Sequence, residues 1–424
     1  MRHQKDMPAL PALLLTILLT ASAILIPFIQ EMNIFFLIFY AVVLILLTKY
    51  RKGFPAAMIT YCRIILGLLF IFSGLSKGVD PLGTTYKIED YYVAYGMDWA
   101  MPLALLQSFV MNAFEFVLGV GLLFKIKPKL ITILTTLMMA VFTFTTYMDA
   151  MYNIVPDCGC FGEAITISNW QTFYKNITIM LFLFVLLFSL RKTKSFFFPT
   201  VEWRVLLIAV ALFGGFEYYN YSHLPMVDFR DWKVGNKMVP DQQKPIDYYV
   251  TYKNLTTLEE KEFLTENLPW NDSIWMSEWT FVSQRIYDPN AGLSHDLSFE
   301  DEAGNNVTSG YIENPDPQFI LVSWTLEKFN KKKLQEIKQF YAQCEELNIS
   351  FIILTSSDID EIAEFVKETG LEAEIFRADD IALKTMVRAN PGLLLLKNSV
   401  VLDKWHYRDI PKFEYVKTKY FPEL

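Results

Sequence analysis

The sequence predicts a polytopic α-helical membrane protein that carries a C-terminal α/β domain. Three observations lead to this prediction. Hydrophobic residues make up 53% of the chain and charged residues only 20%. The apolar residues are concentrated before about residue 222, after which the composition is that of an ordinary globular domain. Finally, clusters of Lys and Arg recur in alternate connections between the apolar segments.

The apolar segments are long enough to cross a bilayer. A hydrocarbon core of about 30 Å requires roughly 20 apolar residues per helix. Seven windows approach or meet this length, at about 9–29, 32–48, 58–76, 101–124, 129–148, 176–190 and 203–219. The first window is longer than the apolar region of a typical signal peptide, and a second window follows almost at once. We therefore expect the first window to be a transmembrane helix.

The basic residues predict the orientation. They cluster at the N-terminus and in alternate connections, at Arg2 and Lys5, 49–52, 125–129 and 191–194, whereas the other connections are acidic or neutral. Because basic clusters mark the cytoplasmic side, we expect a multi-pass protein of the bacterial inner membrane. Its N-terminus would be cytoplasmic and its C-terminal domain periplasmic. The lipid bilayer is one expected partner, and the net charge of −8 gives no basic stripe for nucleic acid.

Two charged residues fall at membrane depth. Glu115 lies near the middle of its window and is a candidate functional residue, because a carboxylate there usually faces the interior of the bundle. Arg63 lies near a window end, where it is expected to extend to the cytoplasmic interface rather than pair with Glu115. Small residues in these windows are expected to allow close helix packing; they are Gly67, Ser73, Gly74, Gly119 and Gly121.

The connection at 149–175 contains Cys158-Gly159-Cys160. By the predicted orientation this loop faces an oxidising compartment, where thiols pair readily. Two cysteines separated by one residue close a small, strained ring, and such disulfides are exchange-active. Three interpretations are open: a redox-active pair, a local staple that shapes the loop, or a metal site. The sequence offers no nearby His to complete a metal site, so we predict no metal.

Three segments resemble the DoxX/MauE superfamily of redox-associated membrane proteins. They are the run from Arg63 to Lys77, Glu115-x-x-x-Gly119, and Cys158-Gly-Cys-Phe-Gly162 followed by Trp170 and Asn176. The cysteine loop favours the MauE branch, named for methylamine utilisation, over residues 55–192. The whole arrangement is similar to DoxX-family proteins of Bacteroidetes-type bacteria. The resemblance implies a four-helix bundle and a part in extracytoplasmic disulfide formation or in maturation of partner proteins. It assigns the redox role to Cys158 and Cys160.

The C-terminal part predicts alternating strands and helices. Short strands are expected at 248–252 and 279–283, with a hairpin turn at 301–306. The following elements are a strand at 318–324, a helix at 328–347, a strand at 349–355, a helix between Asp358 and Gly370, a strand at 373–376, a helix at 379–389, a hairpin of 393–397 and 400–405, and a helix from 411.

From about residue 315 this order of elements resembles a thioredoxin-like domain. Pro391 stands where that fold carries its cis-proline. The Cys-x-x-Cys of the fold is missing, because the first strand is followed by Trp324-Thr-Leu-Glu-Lys328. Cys344, on the first helix, is expected to be a buried structural thiol. We therefore expect the domain to dock or shield a partner rather than to exchange disulfides by itself.

The predicted domains are two N-terminal helices (1–54), the DoxX/MauE-like bundle (55–192), a seventh helix (193–221), a connector with short strands (222–314) and the thioredoxin-like domain (315–424). The predicted function is that of a membrane component in extracytoplasmic thiol–disulfide chemistry, with an oxidoreductase role possible. Its partner would be an extracytoplasmic client or a thioredoxin-like protein. The alternative is a non-catalytic scaffold whose domain binds an envelope partner; a transporter is less favoured, because no inverted repeat is evident. No cofactor is evident, and no motif supports a quinone.

Overall fold

The computed structural model describes residues 7–28, 31–155, 159–239, 247–257, 259–269, 272–287, 297–301 and 304–422. The chain forms two compact units, Met1–Phe229 and Arg230–Leu424. The first unit is helical and the second contains two β-sheets.

The first unit contains eight α-helices and one short strand among its described residues. They are α1 (Ala9–Ile24), α2 (Ile34–Tyr50), α3 (Ala56–Val79), α4 (Pro81–Ala94), α5 (Ala104–Leu123), α6 (Pro128–Tyr152), β1 (Cys160–Glu163), α7 (Asn169–Phe188) and α8 (Pro199–Ser222). Within the described ranges, five helical segments are long and apolar enough to cross a membrane: α3, α5 with its preceding 3-10 turn, α6, α7 and α8. The protein is therefore a multi-pass membrane protein. Helices α1 and α2 are apolar but have 16 and 17 residues, so the count of seven spans stays a prediction.

Helix α4 corrects the expectation of a plain acidic loop between the third and fourth spans. The side chain of Asp80 accepts a hydrogen bond from Gly83 N at 3.0 Å, and Pro81 occupies the first helical position. Ile88 and Tyr92 of this helix are buried. The helix is too short and polar to span a bilayer, which is why hydropathy alone treats it as a connection.

Two other helix ends differ from the prediction. Helix α1 ends at Ile24, five residues earlier than the apolar run suggests. Helix α7 begins at Asn169 rather than 176, because Ser168 and Gln171 form a reciprocal capping box. The polar first turns of α7 concealed its start from a hydropathy window.

Helices α3 and α5 approach each other closely at glycines. A Cβ on Gly119 would lie 2.6 Å from the Ile71 nitrogen, and one on Gly67 would lie 2.8 Å from the Leu123 nitrogen. A Cβ on Gly74 would also meet the α5 backbone, 2.9 Å from the Phe116 nitrogen. The expected role of these small residues in close packing is confirmed. This contact fixes the depth of α3 relative to α5 and therefore positions the site described below.

The second unit contains nine strands and six α-helices in the parts of 230–424 that the structure describes. They are β2 (Asp247–Asn254), β3 (Glu260–Leu264), α9 (Ser273–Glu278), β4 (Trp279–Tyr287), β5 (Phe299–Glu300), α10 (Thr308–Ile312), β6 (Gln318–Val322), α11 (Leu334–Glu346), β7 (Ser350–Thr355), α12 (Ile359–Thr369), β8 (Glu374–Ala378), α13 (Asp380–Met386), β9 (Gly392–Lys397), β10 (Val400–His406) and α14 (Phe413–Tyr420). One sheet has the order β3-β2-β4, and the other has the order β10-β9-β6-β7-β8-β5.

The larger sheet is mixed. Strands β6, β7 and β8 are parallel, whereas β9 and β10 form an antiparallel hairpin beside β6. Every residue of β6 is buried, as expected for a strand covered on both faces. Asn398 and Ser399 have positive φ at the hairpin turn, which fits the predicted two-residue connection. The C-terminal unit is thus an α/β domain, as the sequence predicts.

The connector of the second unit contributes to this sheet, which the sequence did not reveal. Gly235 N and Met238 N donate hydrogen bonds of 2.7 Å to Val401 O and Ser399 O. These bonds cover part of the outer edge of β10. A Pro- and Gly-punctuated segment therefore belongs structurally to the α/β domain.

The predicted strands and helices from residue 318 onwards hold with small shifts of their ends, and part of the predicted turn at 301–306 lies outside the described residues. Asp358 caps α12 by accepting from Glu361 N, and Gly370 ends it in a left-handed conformation. Helix α11 begins at Leu334, later than the expected 328, after a 3-10 turn. Cys344 is fully buried, and burial raises the pKa of its thiol well above the usual range. A buried thiol of this kind is chemically inert.

Candidate functional site

The candidate site is built around Cys160, the first residue of β1, which follows α6. Gly159 and Gly162 both have positive φ, and Gly162 N donates to Gly159 O at 2.9 Å. These glycines fold the chain tightly around Cys160. Cys158, the other predicted redox residue, lies outside the described residues.

The loop is held against the end of α3. A Cβ on Gly162 would lie 3.1 Å from Ser76 O, so the two backbones are nearly in contact. The rings of Phe161 and Phe72 are 5.7 Å apart, and Lys175 Nζ lies 4.6 Å from the Phe161 ring centroid. Phe161 therefore packs β1 against α3 and α7.

Beneath Cys160 lies a buried polar cluster, which we call the Ser73–Lys77–Glu115 cluster. Ser73 Oγ is 2.9 Å from Cys160 O and 2.8 Å from Glu115 Oε2. A hydroxyl has one proton to donate, so these two acceptors compete for it. Lys77 Nζ forms a 2.5 Å salt bridge with Glu115 Oε1, and the two side chains are only 5% and 2% exposed.

In this cluster the Glu115 carboxylate joins Ser73 and Lys77, both of α3. Glu115 was expected to face the bundle interior, and it is buried there. The sequence did not identify Lys77 as its partner, because Lys77 lies near the end of α3, where a basic residue is usually read as an interface anchor. Helices α3 and α5 are antiparallel, and the Gly67–Leu123 contact sets a register that brings the two charges to nearly the same depth; the sequence alone does not give this register.

The segment preceding the cysteines is also anchored. Asn169 Nδ2 donates to Val155 O at 2.9 Å and is 3.3 Å from Asn153 Oδ1. Tyr91 OH donates to Asp149 Oδ2 at 2.5 Å, near the end of α6. Side chains from α4 and α7 therefore fix the chain just before the cysteine loop. Asn176, one of the family-motif residues, bonds Thr146 Oγ1 at 3.0 Å and so ties α7 to α6.

Two cavities adjoin Cys160. The larger has a volume of about 260 Å³ and lies between α4, α5, α6 and the cysteine loop. The smaller has a volume of about 30 Å³, and its lining includes Ser73, Lys77 and Glu115. Cys160 and Lys77 line both cavities. The cysteine loop therefore connects a buried charge pair to an internal space.

A second buried carboxylate, Glu217 of α8, was missed by the sequence reasoning. Asn112 Nδ2 donates to Glu217 Oε1 at 2.9 Å, and both residues are at most 2% exposed. Asn112 Oδ1 and Glu217 Oε2 have no hydrogen-bond partner among the described residues. The signal was present, since Glu217 is an acidic residue in an apolar helix. It lies near the end of the last apolar window, where hydropathy alone does not separate a buried carboxylate from an interfacial one.

Arg63 lies near the start of α3, and its expected extension to the cytoplasmic interface stays a prediction. It is only 9% exposed, and its guanidinium donates to Leu122 O at 2.8 Å and to Leu123 O. These carbonyls belong to the last turn of α5, where a cation is stabilised by unpaired carbonyls and the helix dipole. The prediction that Arg63 does not pair with Glu115 holds, because Glu115 Oε1 is bonded to Lys77. Arg63 therefore has a structural role at the other end of the bundle.

The fold and this site define a class of protein: a multi-pass membrane protein in which a Cys-Gly-Cys loop is attached to a buried charged cluster. Residues 55–189 match the family model of methylamine utilisation protein MauE. The match covers the third of the chain that contains the cluster and the cysteine loop, and it ends before α8. The predicted MauE resemblance is confirmed for this segment, whereas its DoxX and thioredoxin-like parts stay predictions.

A curated protein resembles a larger part of the chain. The chain is 29% identical over 317 residues to protein TlpB of Flavobacterium psychrophilum. The alignment covers 73% of this chain and 80% of the relative. No solved structure matches the chain.

Proposed function

We propose that the protein is an inner-membrane component of extracytoplasmic thiol–disulfide chemistry, in which Cys158 and Cys160 form the redox pair. The observation that carries this proposal is the hydrogen bond from Ser73 to the Cys160 carbonyl, which ties the cysteine strand to a buried charge pair. A loop that needed only a staple has no evident need for two buried charges beneath it. The family match over 55–189 supports a role of the MauE type, in disulfide formation or maturation of envelope proteins.

The chemistry proposed is thiol–disulfide exchange. A thiolate of the pair attacks a sulfur of a partner disulfide, a mixed disulfide forms, and the second cysteine displaces the partner thiol. The reverse sequence oxidises a dithiol client. Lys77 lines the same cavities as Cys160, and its ammonium group is held there by Glu115. Glu115 and Ser73 are positioning residues, because they act on the ammonium group and on the strand backbone.

The proposed topology places this loop outside the cell membrane. Basic clusters at 49–52, 125–129 and 191–194 support a cytoplasmic location of those connections. Seven spans, a cytoplasmic N-terminus and a periplasmic C-terminal unit follow from the same pattern. The client, or a thioredoxin-like partner protein, would then be a periplasmic molecule.

The C-terminal unit is proposed to be a thioredoxin-like docking module without redox activity of its own. Two features support this part of the proposal. The sheet order places a parallel β6-β7-β8 set beside the β9–β10 hairpin, and Pro391 directly precedes β9. Asn390 is fixed by Ser323 Oγ at 2.7 Å and by Thr325 O at 2.9 Å. Its one cysteine, Cys344, is buried and unable to exchange.

The proposal is tested by direct exchange with a substrate. The full chain carrying Cys62→Ala and Cys344→Ala retains only the predicted pair, because the sequence has four cysteines. It is reconstituted in lipid nanodiscs, oxidised, and mixed with a peptide that contains two reduced cysteines. We expect stoichiometric oxidation of the peptide and appearance of two maleimide-reactive thiols on the protein.

Three variants sharpen this experiment. Cys160→Ser and Cys158→Ser should abolish turnover. Mixed instead with the disulfide form of the peptide, each should accumulate a mixed disulfide, with release of one peptide thiol, if its remaining cysteine is the attacking residue. Ser73→Ala should slow exchange while leaving the pair intact. If the pair of the parent protein cannot be reduced by any dithiol peptide, the scaffold function replaces the redox function, since the cysteines then serve only as a staple.

A further inference from the structure

The larger cavity beside Cys160 has the composition of a binding site for an amphipathic ring compound. Most of its wall is apolar or aromatic, including Ile88, Tyr92, Met111 and Phe142, and its volume is about 260 Å³. Ligand sites in proteins are commonly apolar spaces with a few convergent polar groups. This volume is small for such sites and suits a single ring system rather than a large ligand.

The cavity reaches the outer surface of the helical unit. Val141 and Tyr95 line it and are 60% and 46% exposed. Val141 lies in the middle of α6, a helix that is apolar and long enough to cross a membrane. An occupant can therefore enter from the lipid rather than from water.

The polar groups of the cavity include donors that suit a carbonyl oxygen. Lys77 and Lys87 line it, and the Lys77 ammonium group is bonded to Glu115. Thr84 also lines it and is only 6% exposed, yet its hydroxyl has no hydrogen-bond partner in the part of the chain that the structure describes. A buried hydroxyl without a partner is costly. The adjacent Thr85 differs, since its hydroxyl donates to Pro81 O at 2.8 Å.

We propose that this cavity binds the head group of a membrane quinone, with Thr84 donating a hydrogen bond to a quinone carbonyl. This inference rests on the proposed function, because it names the electron acceptor of the cysteine pair. The two thiols lose two electrons and two protons as the S–S bond forms. The quinone gains both electrons and both protons, and its two carbonyls become hydroxyls. Cys160 lines the same cavity, so the donor and acceptor lie at one site.

The test uses the full chain in nanodiscs with Cys62→Ala and Cys344→Ala, its pair reduced and the reductant removed. The added acceptor is a benzoquinone with a short alkyl tail, and its reduction is followed by ultraviolet absorbance. Thr84→Val removes the hydroxyl and preserves the shape. We expect it to raise the quinone concentration for half-maximal rate by about 3- to 10-fold. Thr85→Val is the matched control and should leave that concentration unchanged.

A second pair of variants tests the cavity itself. Val141→Trp places a large ring at the opening and should reduce the rate more than 10-fold at low quinone. Leu137→Trp, one turn away on α6, alters a residue that is equally exposed (60%) and is outside the cavity lining. It should react like the parent protein.

A second acceptor separates this inference from the proposed function. Oxidised glutathione is soluble and does not need the cavity, so all four variants should transfer electrons to it at the parent rate. If quinone oxidises every variant equally while glutathione exchange persists, the quinone site is wrong and the redox function stands. If neither acceptor is reduced, the redox function fails. In that case, equilibrium dialysis measures the affinity of the quinone for Thr84→Val and for Thr85→Val. Weaker binding by Thr84→Val alone supports the quinone site, and equal binding by the two variants refutes it.

Discussion

The two units of the molecule each contain a short salt bridge, but in opposite surroundings. In the membrane unit, Lys77 and Glu115 form a salt bridge at exposures of 5% and 2%. In the C-terminal unit, Lys331 and Glu368 form one at the same 2.5 Å, but these side chains are 45% and 57% exposed. The distance between the charged atoms is identical, and the surroundings differ completely.

The difference shows that ion-pair length says little about energetic importance. An exposed pair gains little, because water solvates the separated charges almost as well. A buried pair loses its hydration on folding, so removal of one partner leaves a buried charge without compensation. On this argument the buried pair adds little net stability, and its position beneath Cys160 fits the role in the site that we propose. Of the four predictions below, the first and the last test this contrast directly, and the other two test the packing and the second buried carboxylate of the membrane unit.

The largest effect is expected for Lys77→Met. It leaves Glu115 buried and unpaired, at a cost of about 3–5 kcal/mol in the free energy of unfolding. The double variant Lys77→Met/Glu115→Leu removes both charges and should recover most of this loss. Unfolding in mixed detergent micelles, followed by circular dichroism, measures both variants. Equal stability of the single variant and the parent protein would contradict the assignment of a buried pair.

The next effect concerns helix packing. Gly119→Ala places a methyl group against the Ile71 backbone nitrogen and should destabilise the protein by about 1–3 kcal/mol. Gly214→Ala, in α8, is the control, because nothing lies within 4 Å of a Cβ added there. That control should be neutral or slightly stabilising, since Ala is the better helix former. The same unfolding titration compares the two glycine variants.

A similar or smaller effect is expected at Glu217. Glu217→Ala leaves Asn112 without its partner, and we expect a loss of about 1–3 kcal/mol. Glu217→Gln should be close to the parent, because its amide can accept from Asn112 Nδ2 and also donate to Asn112 Oδ1. A carboxyl proton on Glu217 would satisfy the same two atoms. If Glu217→Gln lowers the free energy of unfolding as much as Glu217→Ala does, a negative charge at residue 217 is required. Hydrogen bonding between two uncharged side chains at 112 and 217 is then refuted.

The smallest effect is expected for Lys331→Ala. The exposed pair with Glu368 should contribute about 0–1 kcal/mol, and less as salt is added. Chemical unfolding at low and at high ionic strength measures this contribution. A loss as large as that of Lys77→Met would show that exposure does not separate the two pairs.

The two units also differ in how far sequence predicts them. The α/β unit follows from local signals: Asp358 and Gly370 bound α12, and Asn398-Ser399 turns the hairpin. These signals depend on residues near one another in the chain. Segment 235–238 was missed, because its pairing with β10 depends on residues more than 160 positions away, from 235 to 401.

In the membrane unit the sequence predicts spans and a cysteine loop, but not the contacts beneath the loop. Glu115 is a candidate only because it is a charged residue in an apolar helix. The roles of Lys77, Ser73 and Thr84 become visible only when α3, α4 and α5 are packed. Lys77 and Ser73 bond Glu115 of α5, and the cavity that Thr84 lines is formed by several helices. Hydropathy records the cost of a buried charge and does not reveal which charge compensates it.

The most direct measurement of the central claim is the redox state of Cys158 and Cys160 in living cells. Cells that produce the Cys62→Ala/Cys344→Ala chain are quenched with acid. Free thiols are then alkylated with a maleimide–polyethylene glycol reagent, which slows the migration of the protein in electrophoresis. We predict a mixture of oxidised and doubly alkylated protein that shifts towards the alkylated form within minutes of adding a membrane-permeable reductant and returns on its removal. A single species that no reductant or oxidant shifts in the folded protein would contradict a redox function for this loop.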